Sequence, residues 1–175
     1  GVSNALVRTE NGQFASRTNN DGQYTLNYLP EGRYNIIVEA LGYHDGSATS
    51  TVSELETSTE NIAIEALPTY SLQGRITDTV GDPVVGATVI VSGYNNYETT
   101  TAADGSYNIS GIYEHTAYTV SVSKNKLLGV SETIDVNANK TMNLTLKDNI
   151  KPAKAVNVAE SANGDQTEVT WQAPA

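Results

Sequence analysis

The sequence predicts an all-β protein built from two tandem antiparallel β-sandwiches, and three observations predict it. Apolar and polar residues alternate with a period of two, as in Tyr118, Val120 and Val122 against Thr119, Ser121 and Ser123. That period turns one face of a strand toward a core and the other toward water. No window carries a helical period; the nearest, 50–61, is dense in Thr and Ser and reads as loop plus strand. The chain also repeats itself: residues 19–38 read NNDGQYTLNYLPEGRYNIIV and residues 102–122 read AADGSYNISGIYEHTAYTVSV. Asp21 maps onto Asp104 and Tyr24 onto Tyr107 at a spacing of 83, and Tyr34 onto Tyr118 at 84, so the turn gained one residue. A period of this length is a small domain rather than a solenoid unit.

The elements follow in order. Residues 1–7 align with 83–89 at a spacing of 82, which makes 1–7 the second strand of the first repeat. Tyr34, Ile36 and Val38 alternate with Asn35 and Glu39, and Ile62 and Ile64 with Asn61 and Glu65, giving two further strands. In the second repeat, strands are expected near 70–78, 85–92, 97–102, 106–110, 117–123, 130–136 and 141–147, with turns at 80–83, 104–105 and 137–139. The Asp-Gly step supplies the positive φ of a tight hairpin turn. Seven short strands with turns every ten or so residues describe a sandwich. A third unit opens at Lys151-Pro152-Ala153, with strands at 155–158 and 168–174 around a turn at 163–165. The expected domains are therefore 1–68, 69–148 and 149–175. Pro68 in the linker 66–69 restricts relative motion, which predicts an elongated, semi-rigid pair.

In this alignment no residues of the first repeat correspond to 70–78. A sandwich without that strand exposes unpaired backbone groups and part of its core. Two outcomes are expected: self-association of chains through the open edge, or melting of the first domain before the second.

Composition narrows the function. Twenty acidic residues against ten Lys and Arg give a formal net charge of −10, which argues against nucleic acid and anionic membrane surfaces as partners. There is no Cys, hence no disulfide framework and no thiolate metal site. No segment is long and apolar enough for a membrane-inserted helix, and the first residues lack the pattern of an export signal, which would lie outside this sequence.

Candidate chemistry is sparse. His44 and His115 are the possible general bases, and neither sits in a nucleophile motif. Asp21, Asp104, Asp45 and the pair Asp78 and Asp82 are oxygen donors of the kind calcium takes, but without loop-motif spacing, and turn capping accounts for them. No catalytic residue, metal site or cofactor is expected. Tyr24, Tyr34, Tyr107 and Tyr118 fall on inward strand positions and read as core, as does Trp171 in the third unit. Tyr94-Asn95-Asn96-Tyr97 reads as a hairpin tip offering two aromatic faces beside two amides, a possible glycan contact.

The second repeat resembles the carboxypeptidase regulatory-like domain, a transthyretin-like (prealbumin-like) β-sandwich. The matching residues are Gly74-Arg75-Ile76-Thr77-Asp78, Gly81-Asp82-Pro83-Val84-Val85-Gly86-Ala87-Thr88-Val89, Asp104-Gly105-Ser106-Tyr107 and Tyr118-Thr119-Val120-Ser121-Val122. The first repeat matches through 18–24, Leu29-Pro30-Glu31-Gly32-Arg33-Tyr34 and Leu41-Gly42-Tyr43. Residues 149–175 resemble the start of a fibronectin type III domain, whose second strand carries a Trp followed by Pro. Asp78-Thr79-Val80 resembles an O-glycosylation acceptor of Bacteroidetes. An isopeptide-locked pilin domain needs a Lys on the first strand, where this chain has Gln73 and Arg75. The resemblance implies a non-catalytic stalk or adhesion-type segment of a large secreted or cell-surface bacterial protein, accessory to a peptidase in some members. Its partners would be neighbouring domains of the same polypeptide and a glycan or protein ligand at the cell surface. The alternative is a carbohydrate-binding accessory module.

Overall fold

The computed structural model describes residues 1–54, 56–149, 156–163 and 166–172, the last two stretches as backbone strands. Among the described residues there are sixteen strands and no helix. The chain divides into two compact units, one of Gly1–Ser71 with Ser110–Tyr118 and Asp135–Lys140, the other of Leu72–Ile109 with Thr119–Ile134 and Thr141–Ala175.

In the first repeat, β1 (Leu6–Thr9), β2 (Ala15–Arg17), β3 (Gly32–Glu39) and β4 (Gly46–Val52) form one antiparallel sheet in the order β2-β1-β3-β4. Val7 lies opposite Val38, and Thr9 opposite Ile36, so the inward positions of β1 and β3 coincide. Ala5, Val7, Ile36 and Val38 are its buried core. On the solvent face, Arg8 forms an ion pair with Glu39, its diagonal neighbour across β1 and β3.

The second repeat has two sheets. One orders as β11 (Val130–Val136), β9 (His115–Ser123), β6 (Thr88–Ser92) and β7 (Tyr97–Thr100). The other runs β12 (Lys140–Thr141), β5 (Thr69–Thr77) and β13 (Leu144–Thr145), with β8 (Ser106–Tyr113) also paired to β5. β5 and β13 are parallel, Ile76 facing Leu144 and Thr77 facing Thr145. A short ladder joins β10 (Leu127–Leu128) to β14 (Lys147–Asp148). Leu72, Ile76, Tyr107, Ile109, Val120, Val122 and Leu146 are among its buried side chains. Beyond it, β15 (Val156–Asn163) and β16 (Gln166–Gln172) make an antiparallel hairpin. The side chain of Trp171 lies outside the described residues.

Two local features of the repeat recur bond for bond. Thr101 Oγ1 accepts the Ala87 N–H at 2.8 Å and donates to the Val84 carbonyl. Thr18 Oγ1 accepts the Ala5 N–H at 2.8 Å and donates to the Val2 carbonyl at 2.7 Å. One hydroxyl thus ties the chain entering the sheet to the strand leaving it, in both repeats. The Asp-Gly turn is the same as well: the Gly22 N–H bonds the Asn19 carbonyl at 3.0 Å and the Gly105 N–H the Ala102 carbonyl at 2.9 Å. Both glycines sit at positive φ, 81° and 78°, a region that costs other residues steric strain.

Several expectations are corrected. The strand expected at 85–92 starts at Thr88, because residues 85–86 turn and Gly86 takes φ 63°. The strand at 106–110 runs on to Tyr113, and the one at 141–147 is split into β12, β13 and β14. The alternation at Ile62 and Ile64 forms no paired strand, and Tyr24–Leu26 is likewise extended but unpaired. Both are counterparts of strands that pair with β5 in the second repeat. Tyr107 and Tyr118 are buried core as read, whereas Tyr24 and Tyr34 are only half-buried.

Two outcomes are expected. Thr101→Val removes the partner of two buried backbone groups and lowers stability by about 2 kcal/mol. The urea midpoint falls, and Thr101→Ser keeps most of it. Burial pushes the Tyr107 phenol up to about 12 from an ordinary value of 10.0. The folded state holds this phenol neutral while the unfolded chain ionises it. Its contribution is therefore complete below about pH 10 and lost as pH rises toward about 12. The urea midpoint should decline across that window, and the decline should be shallower in Tyr107→Phe.

Candidate functional site

The inner face of the first repeat is open. Two extended segments, around Tyr24–Leu26 and Ile62–Ile64, lie over the β1–β3 core without pairing to a strand. They border a trough of about 1080 Å³ lined by Tyr24, Leu26, Ile36, Val38, Ile62 and Ile64 among others. The corresponding side chains of the second repeat are closed off: Tyr107 is 4% exposed, Ile109 6% and Leu146 0%. Beside them in the same sheet runs β5, whose Leu72 and Ile76 are 1% and 0% exposed.

The trough keeps a defined shape. The Tyr24 hydroxyl donates to the Glu60 carbonyl at 3.2 Å, as the Tyr107 hydroxyl donates to the Met142 carbonyl at 2.8 Å in the second repeat. Burial and the Glu60 charge raise the Tyr24 phenol above its ordinary value, so it stays a donor at neutral pH. At the rim, the Tyr34 hydroxyl donates to the Pro30 carbonyl at 2.9 Å, and its ring meets Phe14 edge-on at 6.3 Å.

Tyr28 is the residue that reading the sequence for motifs passes over. It is 96% exposed and sits at φ 62°, where the second repeat has Gly111 at φ 74°. The alignment of Tyr28 with a glycine was the available signal.

The residues singled out from the sequence are placed as follows. Tyr94, Asn95, Asn96 and Tyr97 form the tip of the β6–β7 hairpin, where Val91 faces Tyr97. Tyr94, Asn95 and Tyr97 are half-buried, and Asn96 is exposed. His44 is exposed, its backbone N–H bonded to the Glu65 carbonyl at 2.8 Å. His115 is exposed with Nδ1 2.7 Å from the Thr116 carbonyl. His44 lies in the loop before β4, and His115 opens β9.

Two of the aspartates, Asp78 and Asp104, cap turns, whereas in the first repeat Asn19 Oδ1 takes the N–H groups of Asp21 and Gln23. Asp78 Oδ1 accepts the N–H groups of Val80 and Asp82, at 3.0 and 2.9 Å. Asp104 Oδ1 accepts from the Ser106 N–H and hydroxyl at 3.0 and 2.6 Å, which hold its carboxyl below the usual range. Among the described residues no three His, Asp or Glu side chains are grouped to hold a metal ion.

The sequence profile of the carboxypeptidase regulatory-like domain family matches residues 1–65 and again residues 71–147. No curated protein matches the chain. Among solved structures, the minor pilin GBS52 of the Gram-positive pathogen Streptococcus agalactiae is similar at a TM-score of 0.57 and 16% identity, over 87% of this chain and 86% of that one. A streptococcal ancillary pilin is similar at 0.53 and 14% identity, over 85% of this chain, which spans 58% of that protein. Likeness at such identity is likeness of fold.

Replacing Tyr28 by Gly should stabilise the first repeat by about 0.5–1 kcal/mol. Relief of the left-handed backbone outweighs the freedom gained by the unfolded chain, and an exposed ring leaves no packing to lose. Differential scanning calorimetry should show the first transition rising and the second unchanged.

Proposed function

We propose, on the premise that the chain belongs to the carboxypeptidase regulatory-like domain family through both of its repeats, that it is a non-catalytic structural segment of a protein secreted from or displayed on a bacterial cell. One observation carries this reading: the polar side chains that clamp strands and close turns in the two repeats are spent on holding the frame. Thr18 and Thr101 clamp strand ends, and Asn19, Asp78 and Asp104 close turns. A duplicated frame of this kind supplies spacing and surface, and chemistry would have to be argued from a site grafted on it.

The two similar structures are described as pilins, and that setting supports surface display for this chain. Net charge −10 and solvated sheet faces suit a segment that stays soluble outside a cell. Within the same proposal, the β15–β16 hairpin begins a fibronectin type III-like domain, and service beside a peptidase is one role such a spacer fills.

The test has two arms. Antibodies raised against residues 1–148 should label intact, unpermeabilised cells of the source organism; labelling only after permeabilisation overturns surface display. The soluble chain on a glycan array should give no micromolar binder. Micromolar binding abolished by Tyr94→Ala or Tyr97→Ala would replace the structural reading with a carbohydrate-binding one.

A further inference from the structure

We propose that Thr79 is the acceptor of an O-linked sugar, recognised by a transferase through the Asp78 carboxylate and the Val80 side chain. The turn after β5 presents all three. Thr77 and Pro83 pair across its base. Within it, the Asp78 N–H donates to the Asp82 carbonyl at 2.9 Å and the Gly81 N–H to the Asp78 carbonyl at 3.3 Å. Asp78 Oδ1 accepts the Val80 and Asp82 N–H groups at 3.0 and 2.9 Å. Asp78 takes part in every one of these bonds, so the turn is rigid around that residue.

Thr79 itself holds nothing in place. It is exposed, and among the described residues its hydroxyl makes no hydrogen bond. Val80 is 80% exposed. A side-chain atom added at Gly81 would meet nothing within 4 Å beyond its chain neighbours, so the outer side of the turn has room for a bulky group. The structure thus gives the pattern Asp78-Thr79-Val80 a physical setting: an anchored carboxylate, a free hydroxyl and an apolar side chain in succession on a fixed turn. It is also the only place in the sequence where Asp directly precedes Ser or Thr.

Other candidate acceptors are already committed. Asn139 and Asn143 each stand two residues before a Thr, the spacing of an N-linked acceptor. Asn139 Oδ1 accepts the Ser71 N–H at 2.9 Å and its hydroxyl at 3.1 Å, and Asn143 Oδ1 accepts the Arg75 N–H at 2.9 Å. Both amides are spent on the edge of β5. Asn108, two residues before Ser110, lies inside β8, whose backbone pairs with β5. The Thr18 and Thr101 hydroxyls are the clamps of the frame.

The neighbouring charges select a sugar over a phosphate. A phosphoryl group on Thr79 would bring about −1.5 to −2 charges into a turn that already carries Asp78 and Asp82. A neutral sugar adds no charge and offers hydroxyls that bond to water and carboxylates alike. The donor is a sugar activated as a glycosyl phosphate. Thr79 Oγ1 attacks its anomeric carbon, and the new C–O bond forms as the bond from that carbon to the phosphate oxygen breaks. The phosphate leaves with the electron pair, and the hydroxyl proton passes to a base of the transferase. Transfer needs only this folded turn and the donor, whether the chain is finally displayed on the cell or kept inside it.

The test is mass spectrometry of the protein isolated from its source organism. The peptide containing residues 78–82 should carry added mass equal to a whole number of sugar residues, and fragmentation should place it on Thr79. Expressed in the same organism, Thr79→Ala should lose the added mass entirely and Thr79→Ser should keep it. Asp78→Asn retains the Oδ1 acceptor that closes the turn, and Val80→Lys alters only an exposed side chain. Both should lose the sugar, because each removes one of the two groups the transferase reads. An unmodified Thr79 in the isolated protein overturns the proposal, and so does a phosphoryl group in place of the sugar. Undiminished occupancy in Asp78→Asn and Val80→Lys overturns it as well, because the hydroxyl is then modified for its exposure alone.

Discussion

The pairing of β5 with β8, β12 and β13 is the contact on which the second layer of a repeat depends. A strand in the middle of a sheet satisfies backbone groups on both of its edges, and its neighbours have no other way to become a sheet. In the second repeat that strand is paired with its neighbours, and Tyr107, Ile109 and Leu146 are buried. In the first repeat the same neighbours, Tyr24–Leu26 and Ile62–Ile64, keep their alternation and their inward direction but remain unpaired. The β1–β3 layer is complete in both cases, because none of its bonds involves β5.

The shared polar residues explain why the frame survives this difference. The Thr18 and Thr101 hydroxyls each bridge two backbone groups that would otherwise be left inside, and a buried orphan is costly. The Asp-Gly turns then place the following segment over the core. Local bonds set the position of each segment, and the pairing with β5 only converts an extended segment into a strand.

Much of this was legible in the sequence. The period-two alternation located the strands, and the Asp-Gly steps located the turns, because both signals are local. The spacing of 82 to 84 residues identified the duplication, and residues 1–7 fell on the counterpart of 83–89 as read. Strand ends were less legible: Gly86 at φ 63° delays β6, and Gly111 at φ 74° is passed within β8 without ending it. Alternation at Ile62 and Ile64 encoded a face but not a partner, which is a property of another segment. The trough followed from the alignment, in which no residues of the first repeat correspond to 70–78. The Tyr94–Tyr97 tip was placed correctly on its hairpin, but whether an aromatic ring lies down on its own strands or stands away from them depends on packing that periodicity does not report.

The parallel pairing of β5 with β13 bears on how the second repeat is made. Asn143 and Arg75, which meet across that seam, are 68 positions apart. At a synthesis rate of 5–20 residues per second, β5 emerges roughly 3–14 s before the strand that will flank it. The β6–β7 hairpin closes locally in the meantime, and β9 joins β6 soon after. For those seconds the edge of β5 that β13 will cover is unpaired, and an unpaired edge is one that another extended segment can add to.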